Sequence, residues 1–318
     1  MKRVKEKEKL IRSGFREYFK RNWSLYLTVL PAVLYIFVFC YYPMSGLQLA
    51  FKDWRIMEGI WGSPWATTDG ELDLFKHFKT LLFTVTFREK LVNTLRISFL
   101  KLICGFPIPI LLAILFNEMS SDKYKKAVQA ISYLPHFISW VIIAGIINSM
   151  TQSGTGLQNF LKLIFGHEIY FFSNDNLFIL MLVLSSIWKG CGWGTIIYFA
   201  AITGIDPQLY EAADIDGANR WKKIAYITFP SIKNAISINL IFSLSDIMLA
   251  GFDQIYNMVN PAVYGKGDVL ETYLFRIGIS GGRYDQATAV GLFNSLVGFV
   301  LVIAANKFSK LLGADGIW

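Results

Sequence analysis

Long apolar runs recur along this chain, and their length is the feature that most constrains its fold. A helix that crosses a lipid bilayer needs about 20 mainly apolar residues. Six windows of the sequence meet that requirement, at about 24–46, 92–117, 128–150, 177–203, 231–256 and 287–306. In hydrocarbon, a helix is a structure that satisfies all of its own backbone polar groups. Runs of this length therefore predict an all-α, polytopic membrane protein with six transmembrane helices.

The composition agrees with a membrane protein and gives a nucleic-acid partner no support. Of the 318 residues, 54% are hydrophobic and 17% are charged, whereas a soluble globular chain carries about 25% charged residues. The net charge is +8, but nine Lys or Arg residues stand together in segment 1–23. Positive charge beside anionic lipid explains that basic segment. The predicted partner is therefore the lipid bilayer, with no nucleic acid.

Basic residues beside the spans predict the orientation of the chain. Cytoplasmic segments of membrane proteins carry an excess of Lys and Arg. If the N-terminus is cytoplasmic, the segments 1–23, 118–127, 204–233 and 307–318 together hold 18 such residues. The three loops on the opposite side, at 47–91, 151–176 and 257–286, hold 10. This bias predicts that both termini lie in the cytoplasm.

A charged segment separates the fourth apolar window from the fifth. Asp206 followed by Pro207 is typical of a helix N-cap with proline at the first helical position. Residues 208–216 are therefore predicted to form a short helix, and Gly217 is predicted to end it. A second helix is predicted over 219–228.

Small and charged side chains alternate in and after the first of these helices. Ala212 and Ala213 would let a partner surface approach the backbone closely, and Glu211, Asp214 and Arg220 could make directional contacts at its edge. The simpler alternative is a solvated loop with helical propensity, which is a common role for a charged run. The residues by themselves leave both alternatives open.

The stretch EAADIDGANRWKKIAYITFP (211–230) resembles the EAA loop of ABC importer permeases. The matching residues are Glu211, Ala212, Ala213, Asp216, Gly217, Ala218, Ile227 and Pro230. Ile224 stands where many relatives have Phe, and Phe229 where many have Leu. In that family, the loop carries a coupling helix that sits in a groove of the ATPase subunit. The resemblance implies that the ATPase-coupling residues are Glu211, Ala212, Ala213, Asp216, Gly217, Ala218 and Arg220.

Other blocks, in the order found in the family, resemble the branch of these importers that handles complex oligosaccharides. They are YYPMSGLQLAFKDW (41–54), PIPILLAILFNEM (107–119), AVQAISYLPHFISWVIIAGI (127–146), GFDQIYNM (251–258), DVLETYLFRIGI (268–279) and ATAVGLFNSLVGFVLVIAANKFSKLL (287–312). The resemblance implies the type I ABC importer transmembrane fold in a bacterial cytoplasmic membrane. The branch includes importers of uronate-rich oligosaccharides from pectin and alginate, together with importers of other glycans.

The apolar windows and the resemblance together divide the chain into four parts. Segment 1–23 is the basic cytoplasmic segment, and 24–91 holds the first transmembrane helix and an outer loop. Residues 92–306 form the core permease region, with five transmembrane helices and the coupling loop 204–230. Residues 307–318 form a cytoplasmic tail.

The sequence has no G-x-x-x-x-G-K-[ST] loop, the motif that cradles nucleotide phosphates. A pump driven by ATP therefore needs its nucleotide site on another chain, and we expect no cofactor in this one. The resemblance implies that two separate ATPase subunits bind ATP and Mg²⁺. It also implies a second permease subunit, an external solute-binding protein that delivers an oligosaccharide, and alternating access as the mechanism.

Two motifs that would suggest an enzyme lack their partner residues. The stretch 278–282 fits G-x-S-x-G, but a nucleophile elbow needs a His after the Ser, and His77, His136 and His167 all precede it. His167 also opens an H-E-x-x-H-like stretch, but Phe171 replaces the second His. We therefore predict no catalytic residue and no metal site. The alternatives are an importer permease for another solute class and a membrane-embedded enzyme that modifies glycan or lipid.

Ionisable residues inside the predicted spans mark candidate substrate positions, because such residues face a cavity or each other. Lys189 and Asp246 stand within the fourth and fifth windows, which run in opposite directions. Two alternatives remain open, an ion pair joining the two helices or a Lys189 contact with an anionic sugar. Aromatic faces stack on sugar rings, and amides or hydroxyls pair with sugar hydroxyls. The predicted substrate-path residues are Lys189, Trp193, Tyr198, Asn239, Ser243, Asp246 and Asn294.

Overall fold

The computed structural model describes residues 17–311. Most of the predicted basic segment 1–23, and the end of the predicted tail 307–318, lie outside the described residues. Within the described range, the chain is almost entirely helical. The exception is a small antiparallel ribbon, in which β1 (Thr67–Thr68) pairs with β2 (Glu71–Leu72).

The helices follow one another with short connections. They are α1 (Trp23–Ile36), α2 (Gly59–Gly62), α3 (Lys76–Leu82), α4 (Val85–Gly105), α5 (Pro107–Glu118), α6 (Asp122–Tyr133), α7 (Trp140–Met150), α8 (Gly156–Phe165), α9 (Asp175–Thr203), α10 (Pro207–Ile215), α11 (Arg220–Lys223), α12 (Phe229–Ser231), α13 (Lys233–Ser245), α14 (Phe252–Met258), α15 (Tyr264–Gly267), α16 (Leu270–Phe275) and α17 (Tyr284–Leu311). The 3₁₀ and π turns that extend them are Phe37–Tyr41, Tyr42–Phe51, Leu134–Phe137, Ile224–Thr228, Asp246–Met248, Pro261–Val263 and Arg276–Ser280.

Four helical stretches are long and apolar enough to cross a membrane without a sharp bend. They are Trp23–Phe51, Val85–Glu118, Asp175–Thr203 and Tyr284–Leu311. Each contains most of one predicted window. The all-α, polytopic architecture predicted from the sequence is therefore confirmed. In the second stretch, Pro107 is tolerated because it begins α5, where a missing backbone N–H costs little.

The third and fifth predicted windows are sharply bent. Asp122–Phe137 meets Trp140–Met150 at 96°, and Arg220–Ser231 meets Lys233–Met248 at 60°. Counting each bent pair as one span gives the six predicted transmembrane helices. The expectation of a continuous helix across 128–150 was wrong. Pro135 lies in a 3₁₀ turn that ends the first helix. Ser139 then caps α7, because its side chain accepts a hydrogen bond from the Ile142 backbone N–H.

The fifth window also ends earlier than the sequence predicts. The regular helix stops at Ser245, and a 3₁₀ turn follows over Asp246–Met248. Ala250 and Gly251 then both have left-handed backbone conformations, with φ values of 53° and 87°. Two successive residues in that region cannot continue a right-handed helix. Asp246 therefore lies at a helix end, and not within a regular helix as the fifth window predicts.

A buried ionic cluster attaches the segment before α17 to α4. The fully buried Asp268 carboxylate contacts Lys90 Nζ at 3.1 Å, an Arg276 guanidinium nitrogen at 2.5 Å and the Thr272 hydroxyl at 2.7 Å. Asn93 donates a hydrogen bond to the Asp268 carbonyl oxygen at 3.0 Å. A buried charge persists when it is paired and hydrogen-bonded, and this carboxylate has both kinds of partner.

Close packing of α9 depends on glycine. A methyl group built on Gly192 would lie 1.9 Å from the Ser132 carbonyl oxygen in α6, and one on Gly194 would lie 3.0 Å from the Pro109 ring. Small residues allow membrane helices to approach this closely, which strengthens their van der Waals contact.

We predict that Gly192→Ala destabilises the protein, because a methyl carbon cannot fit against the Ser132 backbone unless α6 moves away. Overpacking of this kind costs about 1–3 kcal/mol, and more where backbone must shift. Abundance in the membrane and the thermal midpoint in detergent should both fall. Gly145→Ala is the matched control, since a methyl group there meets nothing within 4 Å. Equal stability of the two variants would contradict this account of the α9–α6 contact.

Candidate functional site: a membrane cavity and the EAA loop

The EAA loop, residues 204–230, folds as the sequence predicts. The Asp206 carboxylate caps α10 by accepting a hydrogen bond from the Gln208 N–H at 2.9 Å. Gly217 takes a left-handed conformation with φ of 70°, which a glycine adopts without steric cost. The Asn219 side chain then caps α11 by accepting from the Lys222 N–H at 2.9 Å. Both predicted helices and the predicted glycine break are confirmed.

Side-chain contacts hold the two helices of the EAA loop together. The Tyr210 and Thr228 hydroxyls are 2.9 Å apart, and Lys223 Nζ lies 2.7 Å from the Asp214 carboxylate. Arg220 Nε lies 4.0 Å from the carboxylate of Glu118 at the end of α5. The sequence predicts that Asp214 could contact a partner protein, but within this chain its carboxylate already pairs with Lys223.

The surface of the EAA loop combines the predicted coupling residues with apolar side chains. Most of the predicted coupling residues are exposed, and two alanines are half-buried: Glu211, Ala212, Asp216, Gly217 and Arg220 are exposed, while Ala213 and Ala218 are half-buried. Leu209, Ile215 and Trp221 are also exposed, by 51%, 88% and 79%. These three side chains were not among the predicted coupling residues. The feature of the sequence that could have identified them is the presence of large apolar residues in a charged segment.

A cavity of about 870 Å³ opens between α4, α5, α9 and the broken fifth span. Its walls combine aromatic rings, amides and hydroxyls. Five of the seven predicted substrate-path residues line it: Trp193, Tyr198, Asn239, Ser243 and Asp246. Trp193 stacks on the His136 ring, with centroids 4.5 Å apart and planes within 4°. The structure therefore brings most of the predicted residues to one place, although they come from different spans.

Lys189 and Asn294 do not line this cavity. The Lys189 ammonium donates to three backbone carbonyls of the 3₁₀ turn after α6, those of His136 at 2.7 Å, Ile138 at 2.5 Å and Pro135 at 3.4 Å. Asn294 is buried in α17. Among the ion pairs of residues 17–311, none joins Lys189 to Asp246, so the ion-pair alternative was wrong.

Two cavity residues were overlooked in the sequence. Lys101, on α4, donates to the Ala250 carbonyl oxygen at 2.7 Å and to Gln254 Oε1 at 2.5 Å. Gln254 donates in turn to the Leu182 carbonyl oxygen at 2.7 Å and to Ser185 Oγ at 2.8 Å. The signal in the sequence was the presence of an ionisable residue, Lys101, within the predicted window 92–117.

The chain is similar over most of its length to bacterial permeases. The family described as "Binding-protein-dependent transport system inner membrane component" matches residues 105–314. The chain belongs to this family of permeases. The matched region contains both the EAA loop and most of the residues that line the cavity.

Curated relatives and solved structures agree with this family. The polygalacturonan/rhamnogalacturonan transport system permease protein YteP of Bacillus subtilis (strain 168) is 40% identical over 318 residues, covering 100% of this permease and 95% of YteP. Protein LplB of the same strain is 38% identical over 300 residues, covering 94% and 92%. A chain of a bacterial ABC transporter involved in the import of the acidic polysaccharide alginate is 42% identical, with a TM-score of 0.84, covering 93% of this permease and 98% of that chain. This permease therefore has the type I ABC importer transmembrane fold.

Three residues of this permease, Asp53, His77 and Asp285, have the geometry of a metal site, but two of them already have partners within the same chain. Carboxylate oxygens of Asp53 and Asp285 and a ring nitrogen of His77 lie within 4.8 Å of one another. Lys76 Nζ already contacts Asp53 at 2.8 Å, and the His77 Nε2 atom is 2.9 Å from the Lys52 carbonyl oxygen. Burial acts to raise the pKa of Asp53, but the Lys76 hydrogen bond and charge hold it below its usual value. The absence of a metal site stays a prediction.

Glu271 lies close to Lys101, in the segment between the fifth and sixth spans. Burial raises the pKa of the Glu271 carboxyl to about 7, and the Asp253 charge acts in the same direction. A backbone hydrogen bond from Phe252 and the charge of Lys101 oppose this rise. The Glu271 carboxyl is therefore easier to protonate than that of an ordinary glutamate.

We predict that Lys189→Met lowers membrane abundance and reduces transport of acidic and neutral solutes equally. Methionine has no N–H donor, so the carbonyls of Pro135, His136 and Ile138 would lose their partner, at about 1–3 kcal/mol for each unsatisfied group. Quantitative immunoblotting of membranes and uptake assays would measure the effect. Lys162→Met, on an exposed residue of α8, should leave both unchanged. Normal abundance with selective loss of acidic solutes would instead make Lys189 a substrate contact.

We also predict that Glu271→Gln removes a pH dependence of stability. The folded-state pKa of Glu271, about 7, exceeds the ordinary value of 4.5. The folded protein therefore binds more protons than the unfolded chain between these values, and its stability falls as pH rises through that window. The thermal midpoint of the unaltered protein in detergent should fall between pH 5 and pH 8 by more than that of Glu271→Gln. Identical pH profiles would contradict the raised pKa.

Proposed function

We propose that this permease subunit moves uronate-rich oligosaccharides across the bacterial cytoplasmic membrane by ATP-driven alternating access. The observation that carries the proposal is the 42% identity, over nearly the full chain, to a subunit of a transporter that imports the acidic polysaccharide alginate. YteP, at 40% identity, is named for polygalacturonan and rhamnogalacturonan. Both names refer to polysaccharides that contain uronate residues, so acidic oligosaccharides are the substrate class that we propose here.

The chemistry of the cavity supports a sugar as the substrate. Trp193 offers an aromatic face for a sugar ring, and Asn239 and Ser243 offer hydrogen-bonding groups for hydroxyls. A volume of about 870 Å³ lies within the range of ligand pockets, about 300–1,000 Å³. The cavity is therefore large enough for a short section of an oligosaccharide.

The division of work among subunits is part of the same proposal. Two ATPase subunits bind ATP and Mg²⁺, and the exposed EAA loop docks into a groove on one of them. A second permease chain completes the translocation path, and an external solute-binding protein delivers the oligosaccharide. A related alginate transporter, 41% identical with a TM-score of 0.85, was crystallised with an alginate pentasaccharide-bound periplasmic protein, which supports that last partner. In this arrangement both termini and the EAA loop are cytoplasmic.

The test of this proposal is ATPase activity of the complete complex, reconstituted with its ATPase subunits and binding protein. Oligogalacturonates, alginate oligosaccharides and neutral oligosaccharides of matched length would be compared. Stimulation by acidic sugars supports the proposal. Stimulation by neutral sugars alone would replace the substrate class, and stimulation by no sugar would overturn oligosaccharide import.

We predict that Glu211→Lys uncouples the complex while the permease remains in the membrane. Glu211 is exposed on α10, and none of the ion pairs within residues 17–311 uses it, so its reversal disturbs a docked ATPase rather than this chain. A like-charge contact in an interface costs several kcal/mol, so solute-stimulated ATPase activity should fall at least about tenfold. Asp122→Lys reverses an exposed charge at the start of α6 and should have little effect. Full activity of Glu211→Lys would contradict docking through α10.

A further inference from the structure

Lys101 is the one basic residue among the described residues that line the cavity. It lies on α4, and its ammonium reaches the break between α13 and α14. There, the left-handed conformations of Ala250 and Gly251 turn the Ala250 carbonyl towards it. A cation in a low-dielectric wall exerts a stronger field than one in water.

The hydrogen-bond partners of Lys101 hold its ammonium in place, and the Glu271 carboxyl lies close to it. An ammonium has three N–H donors, and two of them go to the Ala250 carbonyl and to Gln254 Oε1, which are both neutral. Gln254 is itself held by Leu182 and Ser185, so this arrangement exists before any solute arrives. One N–H of Lys101 is therefore left for another acceptor. Because the Lys101 side chain is already held in place, binding a ligand does not require that side chain to become ordered.

Lys189 is the informative contrast. It lies within the fourth span, and its ammonium has three backbone carbonyl acceptors within 3.4 Å. All three of its donors are therefore used, and it does not line the cavity. Of these two half-buried lysines, Lys101 combines a place in the cavity wall with an unused donor.

Lys101 lines a cavity of about 870 Å³, which leaves room for a ligand. Gly251 has no side chain, and a methyl group there would come within 3.2 Å of Lys101 Nζ. Asp246 is the one acidic residue among the described cavity residues, and it lies at the end of α13. Its carboxylate can accept hydrogen bonds from sugar hydroxyls, whereas a carboxylate of the sugar is attracted to Lys101.

We propose that Lys101 receives a carboxylate of the transported sugar and thereby selects acidic oligosaccharides in the cavity. The inference rests on the proposed import of uronate-rich oligosaccharides and assigns their recognition to one residue. The carboxylate takes the free N–H of Lys101 while the Ala250 and Gln254 contacts remain. A charge-assisted hydrogen bond is stronger than a neutral one, so a neutral sugar of the same shape gains less here.

Ser98 provides a test that leaves Lys101 in place. It lies three residues before Lys101 on α4 and lines the same cavity, and its buried hydroxyl has no hydrogen-bond partner among the described residues. Residues at this spacing lie on the same face of a helix. Ser98→Asp would therefore place a competing carboxylate beside Lys101, and Ser98→Asn is its uncharged control of equal shape.

The measurement is uptake by proteoliposomes that contain the complete complex, with trigalacturonate and an alginate trisaccharide as acidic probes. We expect uptake of the transported acidic probe to be at least about tenfold lower for Ser98→Asp than for Ser98→Asn, the size expected for losing a hydrogen bond to a charged group. Equal uptake by the two variants would overturn the role of Lys101. If the unaltered complex takes up neither acidic probe, the proposed function itself fails.

Substitution of Lys101 gives an independent readout. Lys101→Met should lower uptake of the acidic probe about tenfold or more at normal membrane abundance, and Lys101→Arg should restore part of it. The carboxyl-reduced form of the same trisaccharide has no negative charge. Any loss of its uptake therefore measures the structural effect of the substitution, separate from the loss of charge recognition. Equal loss for the acidic and reduced probes would assign Lys101 to support of the helix break alone.

Discussion

Backbone carbonyls at helix breaks impose the constraint on which the rest of this structure depends. Hydrocarbon offers no hydrogen-bond donors, so each freed carbonyl needs a partner inside the protein. At two of the breaks among residues 17–311, a lysine meets this need. Lys189 serves the turn at the 96° bend of the third span, and Lys101 serves the Ala250 carbonyl at the end of the fifth. Both cations therefore lie where the backbone is irregular.

These breaks also create the cavity. A straight fifth span would continue its helix past Asp246 and present regular turns to α4 and α9. Instead, the helix α13 ends at Ser245, the backbone turns at Ala250, and the helix α14 begins at Phe252. The polar side chains and the turned carbonyl then face one space. Irregular backbone at membrane depth is tolerated where it lines such a cavity, so the break and the polar lining have one physical cause.

The EAA loop and the cavity are joined by a short length of chain. The loop's second helix passes through a π turn into α12, and α13 follows directly. Asn239, which lines the cavity, lies six residues beyond Lys233, where α13 begins, or about 9 Å along that helix. Caps and side-chain contacts join the two helices of the loop to each other. A displacement of the loop would therefore reach the cavity wall through α13 itself.

The sequence alone determined the features that depend on near neighbours. Apolar length predicted the spans, and the Asp206 cap, Pro207 and Gly217 predicted the loop helices, because each of these effects acts within a few residues. Tertiary structure alone decided which polar groups meet. Lys101 bonds to a carbonyl 149 residues later, and Lys189 to carbonyls more than 50 residues earlier. Such pairings depend on where helices break and how closely glycines let them pack, which no local pattern encodes.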